Sequence, residues 1–314
     1  MFGYSGQFSK NYNTIDYGLL QIYQKIVFES VLHYLFSFVK INLLSTDCLQ
    51  RRTMKLVFTD LDGTLLDYNT YSFADAKQAL DFLKQNNIPV IINTSKTKLE
   101  VLEIRKALNI EESPFIVENG GGIYFPENFD LKNLKSMDGF FFLKIGQSYE
   151  KILEFFREVK NRFQMRGFNQ MSFDDIMKLT HLSLKGAGNA KAREFSEPFI
   201  LGREDKIKEL KYEAVKYNIT VTKGGRFYHL ISNKQDKGIA LLKTKNIYEN
   251  MLNEKVETTA LGDGENDFPM LACCDFPVLI PFANGRYHNR QIPDHIKVPY
   301  SGAKGWNAYF IKRH

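Results

Sequence analysis

The chain has 314 residues, 44% apolar and 25% charged, enough for one large domain or two ordinary ones around a sizeable core. Its net charge of +6 is a mild excess, and no basic stripe interleaved with aromatics stands out. That argues against a nucleic-acid partner and favours a small anionic one. The three cysteines, Cys48, Cys273 and Cys274, are odd in number and two are adjacent, which excludes a disulfide scaffold and fits a reducing cytoplasm.

Residues 1–53 come first and stand apart. They are polar and tyrosine-rich to about Thr14 and apolar from Leu19 to Leu44, with Glu29, His33 and Lys40 interrupting the apolar run. The run is too broken for a spanning helix, which needs roughly 18 apolar residues in succession, and no small-residue cleavage site follows it. An amphipathic helix, a weak targeting element and a start codon chosen upstream of Met54 all fit; the last is favoured, so removal of 1–53 is expected to leave activity intact.

Lys55-Leu56-Val57-Phe58-Thr59 reads as a buried strand that ends in Asp60-Leu61-Asp62-Gly63-Thr64. Side chains alternate along a strand, so Asp60 and Asp62 start on one face unless the chain turns between them. Two carboxylates this close repel unless a cation lies between them. Apolar residues at Phe73, Ala76, Leu80 and Leu83 predict a helix to Gln85, then a strand over 88–92, a helix over 98–108 and a strand over 114–117. Alternation of this kind calls for a parallel sheet with right-handed crossovers. Glu118-Asn119-Gly120-Gly121-Gly122 then reads as a turn or as a substrate contact, with nothing to choose between them.

From Phe140 the pattern changes. A strand over 140–145, a helix over 149–163, a polar stretch over 169–175, strands at 182–184 and 199–201, a helix over 205–217 and strands at 219–222 and 227–231 form a denser α+β mixture. We place this part at 139–228, with hinges near Asp138-Gly139 and Gly224-Gly225, leaving 54–138 and 229–314 as the first domain. Thr258-Thr259-Ala260-Leu261 is a further strand, followed by Gly262-Asp263-Gly264-Glu265-Asn266-Asp267 and a helix from Phe268. Two acidic strand ends brought side by side would offer the hard oxygen ligands that Mg2+ prefers.

At these residues the chain resembles the haloacid dehalogenase superfamily of phosphatases, in its Cof-like branch. Asp60 and Asp62 match the family's nucleophile and acid/base, Thr94 the hydroxyl at the second strand end, Lys237 the lysine, and Asp263 and Asp267 the metal-binding acids. The resemblance implies a doubly wound α/β core with an inserted α+β cap and a Mg2+ cofactor. It also implies that Asp60 attacks phosphorus, that Asp62 moves protons, and that Thr94 and Lys237 hold phosphoryl oxygens. The implied metal set is Asp60, the backbone carbonyl of Asp62, Asp263, and Asp267 directly or through water.

Shorter stretches (93–97, 192–199, 224–230 and Gly305-Trp306-Asn307) resemble the mannosyl-3-phosphoglycerate phosphatases, from about Met54 to the C-terminus. Ser95 and Lys96 stand where many Cof-like relatives carry a glycine and an arginine, which also favours that branch. The substrate implied is mannosyl- or glucosyl-3-phosphoglycerate; a broader sugar-phosphate phosphatase and a non-catalytic sugar-phosphate binding protein are the alternatives. Lys96, Arg193, Glu197, Arg226 and His229 are candidates for holding the rest of the substrate, with a surface ion pair between Arg193 and Glu197 as the structural alternative. Thr94 could cap the helix near Lys98, Asp263 and Asp267 could be its counterparts at Phe268, His229, at the start of a core strand, reads more as structural than as a ligand, and Trp306 as packing or a lid. No nucleic-acid or stable membrane partner is expected.

Overall fold

The computed structural model describes residues 53–311 except Lys132 and Gln291, so the expectations for residues 1–52 lie outside the described residues. Strand β1 (Met54–Thr59) is an inner strand of a nine-stranded sheet, pairing in parallel with β2 (Val90–Asn93) on one side and β11 (Val256–Gly262) on the other. Beyond β2 come β3 (Phe115–Val117), β4 (Gly122–Pro126), β6 (Phe140–Lys144) and β5 (Lys135–Met137). Beyond β11 come β12 (Phe276–Leu279) and β13 (Ile296–Lys297). The six strands from β13 to β3 are parallel, and the β4–β6–β5 edge is antiparallel.

The pleat divides the core in two. Val57, Val90, Ile92, Phe115 and Val117 face one apolar cluster, while Leu56, Phe58, Ile91 and Ile116 face another. Helices α1 (Lys77–Gln85), α2 (Lys98–Ala107) and α9 (Gly302–Ile311) supply residues to the first cluster. Helices α7 (Lys237–Leu252) and α8 (Phe268–Cys273) supply the second. Helices on both faces of a mainly parallel sheet make the doubly wound core expected from the alternation.

The cap is a four-stranded antiparallel sheet in the order β7 (Met165–Gly167), β8 (Ser196–Leu201), β10 (Phe227–Ser232), β9 (Ile219–Gly224). Helices α3 (Tyr149–Phe163) and α6 (Ile207–Lys216) cover one face through Phe155, Phe156, Leu210 and Ala214. Helices α4 (Phe173–Thr180) and α5 (Leu184–Lys191) form a smaller cluster with Phe168, Ile200 and Phe227.

Several expectations are corrected. Residues 182–184 are not a strand: Ser183 caps α5, its Oγ accepting the Gly186 N–H at 3.1 Å. Phe140–Lys144 pairs with β4 rather than with the cap, and Phe227–Ser232 is an inner cap strand, so residues 139–144 sit with the core and 229–232 with the cap. The chain leaves the large sheet after Lys144 and re-enters it through α7. Gly224-Gly225 is the β9–β10 hairpin tip, with φ of 55° at Gly225, and not a hinge. Hydrophobic alternation locates strands but not their partners, and an antiparallel edge on a parallel sheet reads like cap strands.

Candidate active site

The site forms where the parallel strands end. β1 and β11 run in register with Thr59 beside Leu261, and the Asp60 N–H donates to the Leu261 carbonyl at 3.0 Å. Asp60 and the Asp263–Asp267 loop therefore leave the sheet side by side, at the switch point where β1 has neighbours wound in both directions. One carboxylate oxygen from each of Asp60, Asp263 and Asp267 lies within 4.8 Å of the others.

Lys237, the first residue of α7, is fully buried between them, its Nζ 2.6 Å from Asp60 Oδ1 and 2.6 Å from Asp267 Oδ1. Burial alone would lower the lysine, but Asp267 and Asp60 raise it above the ordinary range and keep it charged. Asp267 spends its other oxygen on the backbone, accepting the Asp263 and Gly264 N–H groups at 3.0 and 2.8 Å. It thus shapes the acidic loop and anchors Lys237; it makes no side-chain cap for α8. Burial, and then the neighbouring Asp267, lift Asp60 to about 7 against the pull of Lys237; Asp263 is pushed up by burial and by Asp267 and Asp60.

Three acids opposed by one lysine leave a negative excess in a largely buried site. That is a fit for a hard divalent cation. Gly63 has φ of 81°, and a Cβ there would stand 2.9 Å from Asp263 Oδ2. Glycine therefore leaves the acid cluster open on the turn side while supplying a backbone conformation other residues resist.

Asp62 does not join the cluster. The chain turns at Leu61, whose carbonyl accepts the Thr64 and Leu66 N–H groups, and this sends Leu61 into the core and Asp62 into the cleft. Lys96 Nζ meets Asp62 Oδ2 at 2.8 Å, and Asp62 Oδ1 has no partner. Burial lowers Lys96, but Asp62 and Glu100 more than offset it and leave the lysine raised.

Thr94 and Lys237, expected to face phosphate, do not line the cleft. Thr94 is buried, and its Oγ1 accepts the Lys96 N–H at 3.3 Å. Nor does it cap α2: Thr97 does, in a reciprocal pair with Glu100. Ser95 and Lys96, the next two residues, line the cleft instead.

The cleft, of about 830 Å³ with its mouth, lies between this floor and the cap. Arg193 and Arg226 line it as expected. Arg193 already donates from Nε to the Ala190 carbonyl and from Nη1 to that of Ser95. Arg226 donates to the Leu179 carbonyl at 2.7 Å and to the Tyr68 hydroxyl at 3.4 Å. Glu197 does not line it. It pairs across the sheet with Leu230, on the face covered by α3, where it takes the Tyr149 hydroxyl and the Asn169 N–H. The ion pair between Arg193 and Glu197 is absent because Arg193 lies outside any helix and Glu197 lies in a strand. Burial lifts the Glu197 carboxyl to about 7.

His229, read as structural and as opening a core strand, is on β10 and lines the cleft. Tyr68, Tyr71, Phe168 and Asn266 also line it and were missed, since single aromatics in loops carry no periodic signal. Glu118 turns out to be a clasp. It ends the β3–β4 hairpin strand, and its carboxylate accepts the Glu194 and Phe195 N–H groups and the Ser196 hydroxyl at 2.6–3.1 Å. Trp306 is fully buried and donates from Nε1 to Thr59 Oγ1 at 3.1 Å, which rules out a lid.

The haloacid dehalogenase-like hydrolase family model matches residues 57–288. The chain belongs to that family. It is 45% identical to the glucosyl-3-phosphoglycerate/mannosyl-3-phosphoglycerate phosphatase of Persephonella marina over 254 residues, 80% of this chain and 94% of that protein. It is 35% identical to the mannosyl-3-phosphoglycerate phosphatase of Pyrococcus furiosus over 231 residues, 72% and 91% of the two chains. The fold is shared with a Thermoplasma acidophilum protein, 0175 (TM-score 0.62, 18% identity, 83% of this chain and 98% of that one). It is shared also with the sucrose-phosphatase of Synechocystis sp. PCC6803 (TM-score 0.56, 14% identity, 83% and 98%). This haloacid dehalogenase-like chain is a phosphatase, a phosphoric monoester hydrolase. Phosphatases of this family generally use a divalent metal, and the buried acidic cluster fits one.

Proposed function

We propose that this phosphatase hydrolyses glucosyl-3-phosphoglycerate or mannosyl-3-phosphoglycerate to the glycosylglycerate and phosphate, with Mg2+, through an aspartyl-phosphate on Asp60. The substrate is supported by the names of relatives that align over cap and core alike. The chemistry rests on one observation above all: β1 and β11 deliver Asp60 and Asp263 to the same point, with Lys237 pinning one oxygen of Asp60.

A carboxylate attacking an anionic phosphoryl group needs its charge held and offset. Lys237 fixes Asp60 Oδ1 and leaves the second oxygen to face phosphorus. Attack forms the Asp60–phosphorus bond as the ester bond to the substrate oxygen breaks, and Asp62, steadied by Lys96, gives that oxygen a proton. The same carboxylate then takes a proton from the water that hydrolyses the acyl phosphate. The residues that would hold Mg2+ are Asp60, Asp263 and the Asp62 backbone carbonyl, with Asp267 behind them; the ion, when bound, neutralises charge on the phosphoryl oxygens. Thr94 supports the Ser95-Lys96 turn from below. Two free thiols, Cys273 and Cys274, are in keeping with a reducing cytoplasm as the place of action.

Phosphate release from both glycosyl phosphoglycerates and from simple hexose phosphates tests the substrate; equal rates on all would replace the narrow reading with a broad one. Asp60→Asn tests the mechanism. Turnover should fall by at least about 10⁴-fold, and no acid-stable trapped phosphoenzyme should form. Residual turnover within tenfold of the wild type would refute the nucleophile.

A further inference from the structure

The roof of the cleft holds a polar group that the chemistry above leaves unused. His229 is 3% exposed, lines the cleft, and its Nδ1 has no hydrogen-bond partner. A buried ring nitrogen left unpaired is costly, and a folded protein rarely carries one without a reason. The strand explains the direction of the ring. Tyr228 and Leu230 on either side belong to the helix-covered cluster, so alternation sends His229 to the opposite face, beside its cross-strand partner Pro198, which also lines the cleft.

We propose that His229 is a specificity residue that hydrogen-bonds a hydroxyl of the substrate's organic group, beyond the phosphoryl group; this rests on the glycosyl-phosphoglycerate reading. A neutral imidazole has one donor and one acceptor nitrogen, which matches a hydroxyl, itself donor and acceptor. Burial and the cations Arg193 and Lys237 hold the ring neutral, with its pKa down to about 3. Arg193 is less free for this contact, since Nε and Nη1 are already committed to the Ala190 and Ser95 carbonyls. Pro198 stands beside His229 across the sheet, and Phe168, Leu182 and Phe227 are further apolar residues of the same cleft. Apolar side chains together with an uncharged hydrogen-bonding tip suit a polyol, whose carbon face and hydroxyls meet both at once.

The test compares kcat/KM for glucosyl-3-phosphoglycerate with that for p-nitrophenyl phosphate, which has no hydroxyl on its organic group, in the full-length wild type, His229→Leu and His229→Gln. His229→Leu should lower the ratio of the two constants at least tenfold, mainly through KM, as expected for a lost substrate hydrogen bond. His229→Gln, which keeps a hydrogen-bonding tip, should recover most of that ratio. Folding is followed by thermal midpoint, and if His229→Leu does not fold, His229→Ala decides through the KM ratio of deoxyglucosyl to glucosyl substrates, which should narrow relative to wild type. An unchanged ratio in folded variants overturns the assignment. So does an equal loss on both substrates, which marks a structural histidine. If the wild type cleaves p-nitrophenyl phosphate but no glycosyl phosphoglycerate, the substrate reading fails and this assignment falls with it. Cleavage of both with an unchanged ratio sinks the assignment alone.

Discussion

Lys96 Nζ lies 2.8 Å from Asp62 Oδ2, and the lysine stands on the turn after β2 while the carboxylate stands on the turn after β1. The pair ties two separate strand ends into one reacting edge. Removing the lysine frees Asp62 to swing in a cleft where its other oxygen has no partner. Lys96→Met should therefore lower kcat by about 10- to 100-fold, and Lys96→Arg should restore part of it. Steady-state kinetics on glucosyl-3-phosphoglycerate measures this, and an unchanged kcat in Lys96→Met would show that Asp62 needs no such partner.

The acid cluster predicts a stability response to metal. Asp263 is raised by burial and by repulsion from Asp267 and Asp60, so a bound divalent cation relieves a cost already present in the fold. Mg2+ at 100 times its dissociation constant should add about 2.7 kcal/mol. Thermal melts with Mg2+ and with chelator should differ for the wild type and coincide for Asp263→Asn. A wild-type midpoint insensitive to chelator would speak against the site.

Glu197 predicts a pH dependence away from the chemistry. Its folded value of about 7 lies above the ordinary glutamate value of 4.5. The folded state thus holds the proton more tightly than the unfolded chain, and stability falls as pH rises through that window, then levels off above it. Glu197→Gln keeps partners for Tyr149 and Asn169 but cannot ionise. It should match the wild type in acid and exceed it above neutral pH by roughly 2–3 kcal/mol. Denaturant titrations at several pH values test this, and a constant gap across the range would refute it.

Trp306 carries a structural prediction. Its indole N–H bonds Thr59 Oγ1, and the Thr59 hydroxyl in turn donates to the Asp60 carbonyl at 2.7 Å. Trp306→Phe removes that support and leaves a void. We expect a loss of about 1–3 kcal/mol, with a fall in kcat larger than the change in KM because the strand end beneath Asp60 loosens. Chemical denaturation and kinetics on the same preparation separate the two effects.

How much of this was legible beforehand depends on what kind of signal each residue carries. Asp60, Asp263 and Asp267 could be read because carboxylates closing apolar strands make no sense as core, and the parallel pairing of β1 with β11 then follows from winding rules. The Gly305-Trp306-Asn307 run was visible as a motif but not in purpose. Gly305 has no room for a side chain against the Tyr300 carbonyl, 1.8 Å from where a Cβ would stand, and Asn307 accepts the Ala79 N–H, so the run builds the core and not a lid. Glu197, a substrate candidate, lies on the helix-covered face of the cap sheet, while His229, read more as structural than as a ligand, lines the cleft. Which face a cap strand shows to the cleft depends on which side its helices cover, and that is decided by packing between segments distant in sequence. Glu118 was hidden for a similar reason, since its partners lie more than seventy residues downstream.

β10 ends at Ser232 and α7 begins at Lys237, with only residues 233–236 between an inner strand of the roof and the ammonium beneath the floor. The first turn of that helix is moored at once to the second strand, where Asn93 Nδ2 donates to the Lys237 carbonyl at 2.9 Å. So short a leash leaves little slack. Any lifting of the roof would load this joint together with the one after Lys144, and this one stands within one helical turn of the ammonium paired with Asp60.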